Sequence, residues 1–459
     1  MTADRTGSQP LSPASPILAT KARRSPTVLT QMAETVVRYG LPVFILCLPL
    51  EVTSVYLHLQ LARIVLLVVA AAFVYLVVVG ERKLVLPVGA AVIVLGLFVA
   101  VSVVSWLLTR APGSGNSLLD VVAYPVVAVL VVNLARTEKE HEAAWAAFLA
   151  SALAVALLGG FLYYTGLSLW RPDPAMLGRV NATFADPNIT ARFLTLAVAI
   201  AVFMFAGRRQ KTWLVVSVAL AGTAALPLTF SKSGFLIFPV TVVLAAALSS
   251  NWRRGAAIGL LALIVVGSAI MINPSTRDRS LVVLDSITGT THGVVSSATS
   301  GSQAQPLGGV QLDSVRTYLI LAGWQMFKDH PVAGVGLGGF QHALLTTYRS
   351  FLPPKPPPGL SMVTLSHTSA ITILAEEGLA GVLLIVGFLL LLTRDVVRSL
   401  RRPTRWRDLV VTPAFLAVPI LAYSQFEGRF VEEPYLWLAL GLLYSALTME
   451  RSVRTVELP

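Results

Sequence analysis

The residues best able to do chemistry lie between Asp313 and Gly381. Arg316 opens a helical pattern there, a glycine-rich phrase runs from Gly334 to Gly339, and His367 precedes a long apolar run. An imidazole titrates near neutral pH, and a guanidinium fork matches the paired oxygens of a diphosphate. These residue types predict polar chemistry where a membrane-spanning helix meets lipid head groups and water.

Three further cations are predicted to face the same side of the membrane. Arg179 and Arg192 flank a turn, 186–188, whose Asp-Pro-Asn sequence is typical of a helix start. Lys232 lies between two apolar runs. A guanidinium inside a spanning helix is costly unless it faces a partner or a polar cavity, so Arg192 either snorkels to the interface or faces a polar site. Several such cations together indicate an anionic ligand.

The glycines and histidines do not indicate a nucleotide or a metal. Gly334, Gly336 and Gly339 have the spacing of a dinucleotide fingerprint, but no strand–helix–strand pattern surrounds them. With Gly338 they predict a tight loop packed against the membrane or a ligand. The histidines have no metal-ligand spacing, so we expect neither a metal nor another cofactor. Glu376 is a candidate to orient the ring of His367, although residues nine apart lie on different helical turns.

The composition predicts an all-α integral membrane protein with about 12 transmembrane helices. Of the 459 residues, 55% are hydrophobic and only 13% are charged. Apolar runs long enough to cross the roughly 30 Å hydrocarbon layer recur along the chain. They lie at about 41–58, 61–80, 84–108, 118–135, 143–165, 189–206, 212–228, 233–249, 255–272, 369–393, 409–425 and 434–448.

The distribution of charge predicts the orientation. The formal charge is +12, and the short loops between odd and even spans are basic, notably 394–407. This is the positive-inside pattern of cytoplasmic loops in contact with the lipid bilayer, and no reader motif for nucleic acid accompanies it. Residues 1–38 are expected to form a disordered cytoplasmic tail, 39–272 helices 1 to 9, 273–366 one large extracytoplasmic loop, 367–449 helices 10 to 12, and 450–459 a cytoplasmic tail.

The external loop is predicted to contain short helices. One amphipathic helix begins near Asp313, with Leu319, Ile320, Met326 and Phe327 among its apolar positions. The Ser/Thr/Gly-rich tract 288–309 is expected to be mobile, and 353–358 to form an extended polyproline bridge. Cys47 is the only cysteine, so the chain has no internal disulfide.

Four sequence blocks resemble the O-antigen ligase and polymerase superfamily. The first runs from Arg179 to Asn188, and the second is Thr229-Phe230-Ser231-Lys232, with lysine in place of the expected arginine. The third combines Arg316 with the phrase from Pro331 to Phe340. The fourth comprises His367, Glu376, Gly378 and Gly381, with Thr368 in the place of an asparagine.

The resemblance implies a glycan transferase in the bacterial cytoplasmic (inner) membrane, with its active site on the extracytoplasmic face. Its donor would be an undecaprenyl-diphosphate-linked glycan and its acceptor a glycan or lipid, in cell-surface polysaccharide biosynthesis. The resemblance implies that Arg316, Lys232 and Arg179 or Arg192 hold the diphosphate. It also implies that His367 accepts the proton of the acceptor hydroxyl.

Two other classes of membrane protein are alternatives to a transferase. A membrane transporter or a flippase for lipid-linked glycans should have interrupted helices in matching halves and ionisable residues deep in several spans. The sequence suggests neither feature. A membrane scaffold would not need an arginine, a glycine cluster and a histidine in one ordered series. Ligase and polymerase activities, and a lipid, glycan or protein acceptor, all stay open.

Overall fold

The computed structural model describes residues 27–170, 178–278, 280–281, 309–352, 366–401, 406–428 and 430–457. Within these ranges the fold is all-α and contains no strand, as predicted. The helices are α1 (Val28–Cys47), α2 (Thr53–Leu57), α3 (Leu61–Val78), α4 (Ala90–Thr109), α5 (Gly115–Leu134), α6 (Glu138–Thr165), α7 (Pro187–Ala206), α8 (Thr212–Ala225), α9 (Lys232–Leu248), α10 (Trp252–Ile272), α11 (Gly309–Asp329), α12 (Phe340–Leu345), α13 (Ser369–Leu400), α14 (Arg407–Glu427) and α15 (Pro434–Glu457).

Eleven of the twelve predicted apolar runs overlap a helix along most of their length, whereas the first, 41–58, covers the end of α1, a break and α2. Nine helices in the described part of the chain are long and apolar enough to span a membrane, and α9 is shorter but apolar. The first helix, α1, starts at Val28, so residues 28–38 are helical and not part of a disordered tail. Thr27 caps α1 by accepting a hydrogen bond from the Thr30 amide at 3.2 Å, and Glu34 pairs with Arg82. The remaining predicted tail, 1–26, lies outside the described residues.

Helix α7 lies at the centre of the bundle and is buried almost throughout. Asp186 caps it by accepting a hydrogen bond from the Asn188 amide at 2.6 Å, and Pro187 occupies the first turn, as the sequence predicted. The ring of Phe193 packs between Phe184 and Tyr435, with centroids 5.2 and 5.4 Å away. This packing fixes the end of α7 that carries Arg192.

Helix α13 is interrupted at Gly378, where φ is +65° and ψ is −157°. The loop before α12 satisfies the backbone groups that the break would leave open. The Leu379 amide donates to the Pro331 carbonyl at 2.8 Å, and the Val335 amide donates to the Ala375 carbonyl at 2.8 Å. The sequence suggested no interrupted span, and that expectation was wrong for this helix. Apolar residues lie on both sides of Glu376-Glu377-Gly378, so the whole run was predicted as one span.

Candidate active site at the end of helix α14

The carboxyl end of α14 binds the segment that carries His367. The Thr368 hydroxyl donates to the Gln425 carbonyl at 3.3 Å. The hydroxyls of Ser369 and Ser424 are 2.8 Å apart, and the Gln425 side-chain amide donates to Ser369 at 2.7 Å. Threonine at position 368, where the family has asparagine, therefore anchors this segment to α14.

His367 is half-buried and has a left-handed backbone, with φ of +60°. Such a conformation is uncommon for a residue with a side chain and persists only where neighbours enforce it. Ser366 does so, since its hydroxyl accepts from the Thr368 amide at 3.1 Å and donates to the Thr368 carbonyl at 2.8 Å. The strained backbone is thus held by a buried hydroxyl directly before the histidine.

Arg316 reaches the same end of α14 from outside the bundle. One of its terminal nitrogens donates to the Phe426 carbonyl at 3.4 Å. Carbonyls in the last turn of a helix lack intrahelical partners and carry partial negative charge, which favours a cation there. Arg316 and the His367 segment thus bind adjacent carbonyls, those of Phe426 and Gln425.

Helix α11 positions Arg316 by burying the apolar residues that follow it on a neighbouring face of the helix. Leu319 and Met326 are fully buried, as predicted, and pack in one apolar cluster with Phe340, Leu344 and Ala375. Ile320, predicted as an apolar position of the same helix, is 37% exposed. The side chain of Asp313, near which this helix was predicted to begin, lies outside the described residues.

Arg179 connects the first two sequence blocks. Its Nε donates to the Thr229 carbonyl at 3.0 Å, and one terminal nitrogen donates to the side-chain oxygen of Asn188 at 3.1 Å. The Thr229 hydroxyl accepts from the Ser231 amide at 3.3 Å, and Ser231 caps α9, whose first residue is Lys232. The structure therefore brings Arg179 and Lys232 into one neighbourhood, where both are half-buried.

Arg192 is buried inside the protein and paired with two carboxylates. It is only 3% exposed, and its two terminal nitrogens form ion pairs with Glu427 and Glu433, respectively. It therefore does not snorkel to the membrane interface. The sequence analysis did not identify these two glutamates, although the cost of a guanidinium inside a span signalled that Arg192 needed such a partner.

Glu376 does not have the predicted relation to His367. Its carboxylate accepts hydrogen bonds from the amides of Gly338 and Phe340, at 2.9 and 3.0 Å. It supports the site by holding the glycine loop and the start of α12. His367 precedes α13, which begins at Ser369, whereas Glu376 lies within that helix.

The glycine loop packs against protein and requires its glycines. Gly336 and Gly338 have φ of +98° and +68°, a region that other residues rarely adopt. A side-chain carbon on Gly338 would lie 2.7 Å from the Cβ of Ser114, and one on Gly336 would collide with Thr109. The loop thereby joins the ends of α4 and α5 to the break in α13.

One tyrosine near the site has a shifted pKa. Tyr348 is buried beneath α11, and its hydroxyl donates to Asp329 at 2.9 Å. Burial, followed by this hydrogen bond, raises the pKa of Tyr348 to about 12. In the part of the chain that the structure describes, no three His, Cys, Asp or Glu side chains are grouped as metal ligands would be.

The arrangement combines cations with an imidazole. Arg316, Arg179 and Lys232 are half-buried, where a cation stabilises an anion more strongly than it does in water. The strained backbone of His367 is fixed next to the carbonyl that Arg316 binds. Side chains of these types can bind a diphosphate and accept a proton from a hydroxyl. The contacts described here join them in two groups, Arg316 with the His367 segment and Arg179 with the segment that carries Lys232.

Comparison with known proteins supports the resemblance. Residues 217–386 match the family model described as O-antigen ligase. No curated protein matches the chain. The matched range contains Lys232, Arg316 and His367, whereas Arg179 and Arg192 precede it. Over residues 217–386, this integral membrane protein is therefore similar to the O-antigen ligase family, which supports the resemblance of its sequence blocks to the O-antigen ligase and polymerase superfamily.

Proposed function

We propose that the protein transfers a glycan from an undecaprenyl-diphosphate carrier to an acceptor hydroxyl on the outer face of the bacterial cytoplasmic membrane. The observation that carries the proposal is the convergence of Arg316 and the His367 segment on adjacent carbonyls of α14. The family match supports the same class of reaction. It leaves the donor, the acceptor and the membrane face to be tested.

The cations would stabilise the negative charge of the leaving group. The bond between the sugar and the diphosphate breaks, and its electron pair leaves with undecaprenyl diphosphate. Arg316 forms the principal contact with that charge, and Lys232 and Arg179 add to it. Preorganised cations at a developing anion are typically the largest contribution to this kind of catalysis. Since diphosphate is already a good leaving group, the step needs charge stabilisation more than a strong acid.

His367 would activate the nucleophile, the acceptor hydroxyl, by accepting its proton. The acceptor oxygen forms a bond to the anomeric carbon while its proton passes to the neutral imidazole. A positioned base of this kind contributes typically about 10²–10⁴-fold to the rate. The hydrogen bonds that hold the backbone of residues 366–368 support this role, because they restrict the positions that the imidazole can take.

The transporter alternative has one observation in its favour, the break in α13 beside buried Glu376 and Glu377. Both carboxylates already have hydrogen-bond partners. Glu376 accepts from two amides, and Glu377 accepts from the Ser102 hydroxyl. The break therefore serves to hold the glycine loop, and we favour the transferase.

The direct experiment is a product analysis. Purified protein is incubated with an undecaprenyl-diphosphate-linked glycan and with candidate lipid, glycan and protein acceptors. We expect release of undecaprenyl diphosphate together with a new glycosidic linkage, identified by mass spectrometry. Movement of intact donor across vesicles without a new linkage would favour the flippase instead.

The membrane face is tested by labelling single cysteines in a Cys47→Ser background. His330→Cys and Arg253→Cys place thiols at two exposed positions. We expect an impermeant reagent to label the cysteine at 330 in intact cells and the one at 253 only after permeabilisation. The reverse pattern would contradict an external site for the transfer.

A further inference from the structure

We propose that Arg192 is a positioning residue that holds the two ends of the turn between α14 and α15 together, and that it does not contact the donor. The inference rests on the proposed function, because its consequence is the placement of Arg316 and His367.

The guanidinium of Arg192 bridges the two ends of one turn. Glu427 is the last residue of α14, and Glu433 immediately precedes α15. Arg192 projects from α7 and pairs one terminal nitrogen with each carboxylate. Between them Gly428 ends α14 with φ of +78°. One side chain from the central helix therefore fixes where α14 stops and where the chain turns.

The last helical turn of α14, which Glu427 ends, contains the two carbonyls that bind residues of the site. The Gln425 carbonyl accepts from Thr368, and the Phe426 carbonyl accepts from Arg316. Glu427 follows directly in sequence. A shift of this last turn would move both carbonyls together, and with them the arginine and the histidine segment. Small displacements of that kind are costly to catalysis even when they arise away from the chemistry.

The same contacts leave Arg192 poorly suited to bind a diphosphate. Both of its terminal nitrogens are committed to carboxylates, and the group is buried with Glu433, which is 1% exposed. A diphosphate at this point would meet two carboxylates for one guanidinium. Breaking a buried pair to accommodate it would leave a carboxylate without its partner, which is strongly unfavourable.

Arg209 provides a matched control at the opposite end of α7. It also pairs with two carboxylates, those of Glu138 and Glu142, and its side chain is 17% exposed. Lysine keeps the charge at either position but lacks the planar fork that bridges two carboxylates. Arg192 contacts its two carboxylates with two different nitrogens, whereas one nitrogen of Arg209 contacts both of its carboxylates. Lysine should therefore break the bridge at position 192 and preserve the contacts at position 209.

The test measures two properties of each variant in membrane vesicles of the producing cells, which contain donor and acceptor. The first is release of undecaprenyl diphosphate, and the second is amide hydrogen exchange of the last turn of α14. For Arg192→Lys we expect at least a tenfold loss of turnover together with faster exchange at 425–428. Arg209→Lys should retain turnover within about twofold.

Each other outcome contradicts the inference. Lost turnover with unchanged exchange would make Arg192 a direct donor contact, and faster exchange with full turnover would make it purely structural. If Arg192→Lys fails to fold, the variant Arg192→Met/Glu427→Gln/Glu433→Gln removes all three charges, and the same two results are expected of it. If wild type releases no undecaprenyl diphosphate, or Arg316→Ala remains active, the proposed function itself fails.

Discussion

The two ends of α14 are both polar and both buried, yet they are built differently. At the amino end the carboxylate of Asp408, which is 6% exposed, accepts from the Ser250 hydroxyl at 2.9 Å. Arg407 donates to the Leu248 carbonyl at 3.2 Å. All of these contacts join α14 to a single neighbouring segment, the end of α9.

The carboxyl end instead binds several separate segments of the chain. Residues 192, 316, 368 and 369 all bind within the stretch 424–427. These four residues belong to three segments, and two of those segments, at 316 and at 368–369, lie in the predicted blocks. Both ends of α14 thus use a buried acid and an arginine, but the amino end contacts one segment of the chain and the carboxyl end contacts several. Where the partners come from, rather than the residue types, distinguishes a candidate site from a structural contact.

The largest difference between the two ends should appear on removing Arg316. We expect Arg316→Ala to lower turnover by about 10²–10³-fold, since loss of one charge-assisted contact in a partly desolvated site costs on the order of 2–4 kcal/mol. Asp408→Asn at the amino end should leave turnover within about threefold. The measurement is release of undecaprenyl diphosphate at matched expression.

Arg349→Ala serves as the control for charge. Arg349 is exposed on the same external segment, and its removal should leave turnover unchanged. An Arg316→Ala protein with full turnover would show that the diphosphate is held elsewhere.

The glycine loop, which joins the carboxyl-end site to α4 and α5, should be the next most sensitive. Gly338→Ala combines an unfavourable φ with a collision at Ser114, and we expect it to cost about 2–4 kcal/mol of unfolding free energy. Gly80→Ala is the matched control. Its φ is +81° but nothing lies within 4 Å of the added carbon, so only the conformational cost of about 1 kcal/mol applies. Thermal unfolding in detergent compares the two, and equal shifts would exclude the collision.

Lys232 should give a smaller effect that depends on the shape of the cation. An ammonium binds phosphate as a point charge, whereas arginine offers a bidentate fork. Lys232→Arg should therefore keep turnover and tighten binding of undecaprenyl diphosphate a few-fold, while Lys232→Ala weakens it. Equal binding of undecaprenyl diphosphate by wild type and both variants would show that Lys232 does not contact the diphosphate.

The smallest effect should come from Tyr348, which supports α11 away from the chemistry. Because its pKa is raised to about 12, its neutral hydroxyl stabilises the fold below the ordinary tyrosine pKa of about 10. That contribution is lost as the pH rises from about 10 towards 12. Tyr348→Phe should cost about 1 kcal/mol at pH 8 and flatten the stability profile above pH 10. A wild-type profile that is already flat there would contradict the shift.

Local sequence patterns predicted the positions of most helices. They failed to predict features that depend on contacts with residues far away in the chain. Long apolar runs located the spans because the hydrocarbon layer fixes their length. Val28 as the start of α1 was missed because the helix opens with mixed polar and apolar residues. The break at Gly378 was missed because it depends on hydrogen bonds from the loop before α12.

The site was predicted in its residue types but not in its pairings. Arg316 and His367 could be named from the sequence, and their convergence on α14 could not, because no sequence rule places residue 426 beside residue 316. Arg192 signalled the need for a partner, but Glu427 is far along the chain. Glu376 was assigned to the wrong neighbour since its carboxylate faces the glycine loop.

The central claim is that the carboxyl end of α14 positions a general base, and His367→Gln tests it most directly. Glutamine retains hydrogen bonding and loses basicity, and His342→Gln changes an exposed histidine of the same external segment as the control. We expect His367→Gln to bind undecaprenyl diphosphate as wild type does, with turnover lowered at least a hundredfold, and the control to match wild type. Wild-type turnover in His367→Gln would contradict the assignment of His367 as the base.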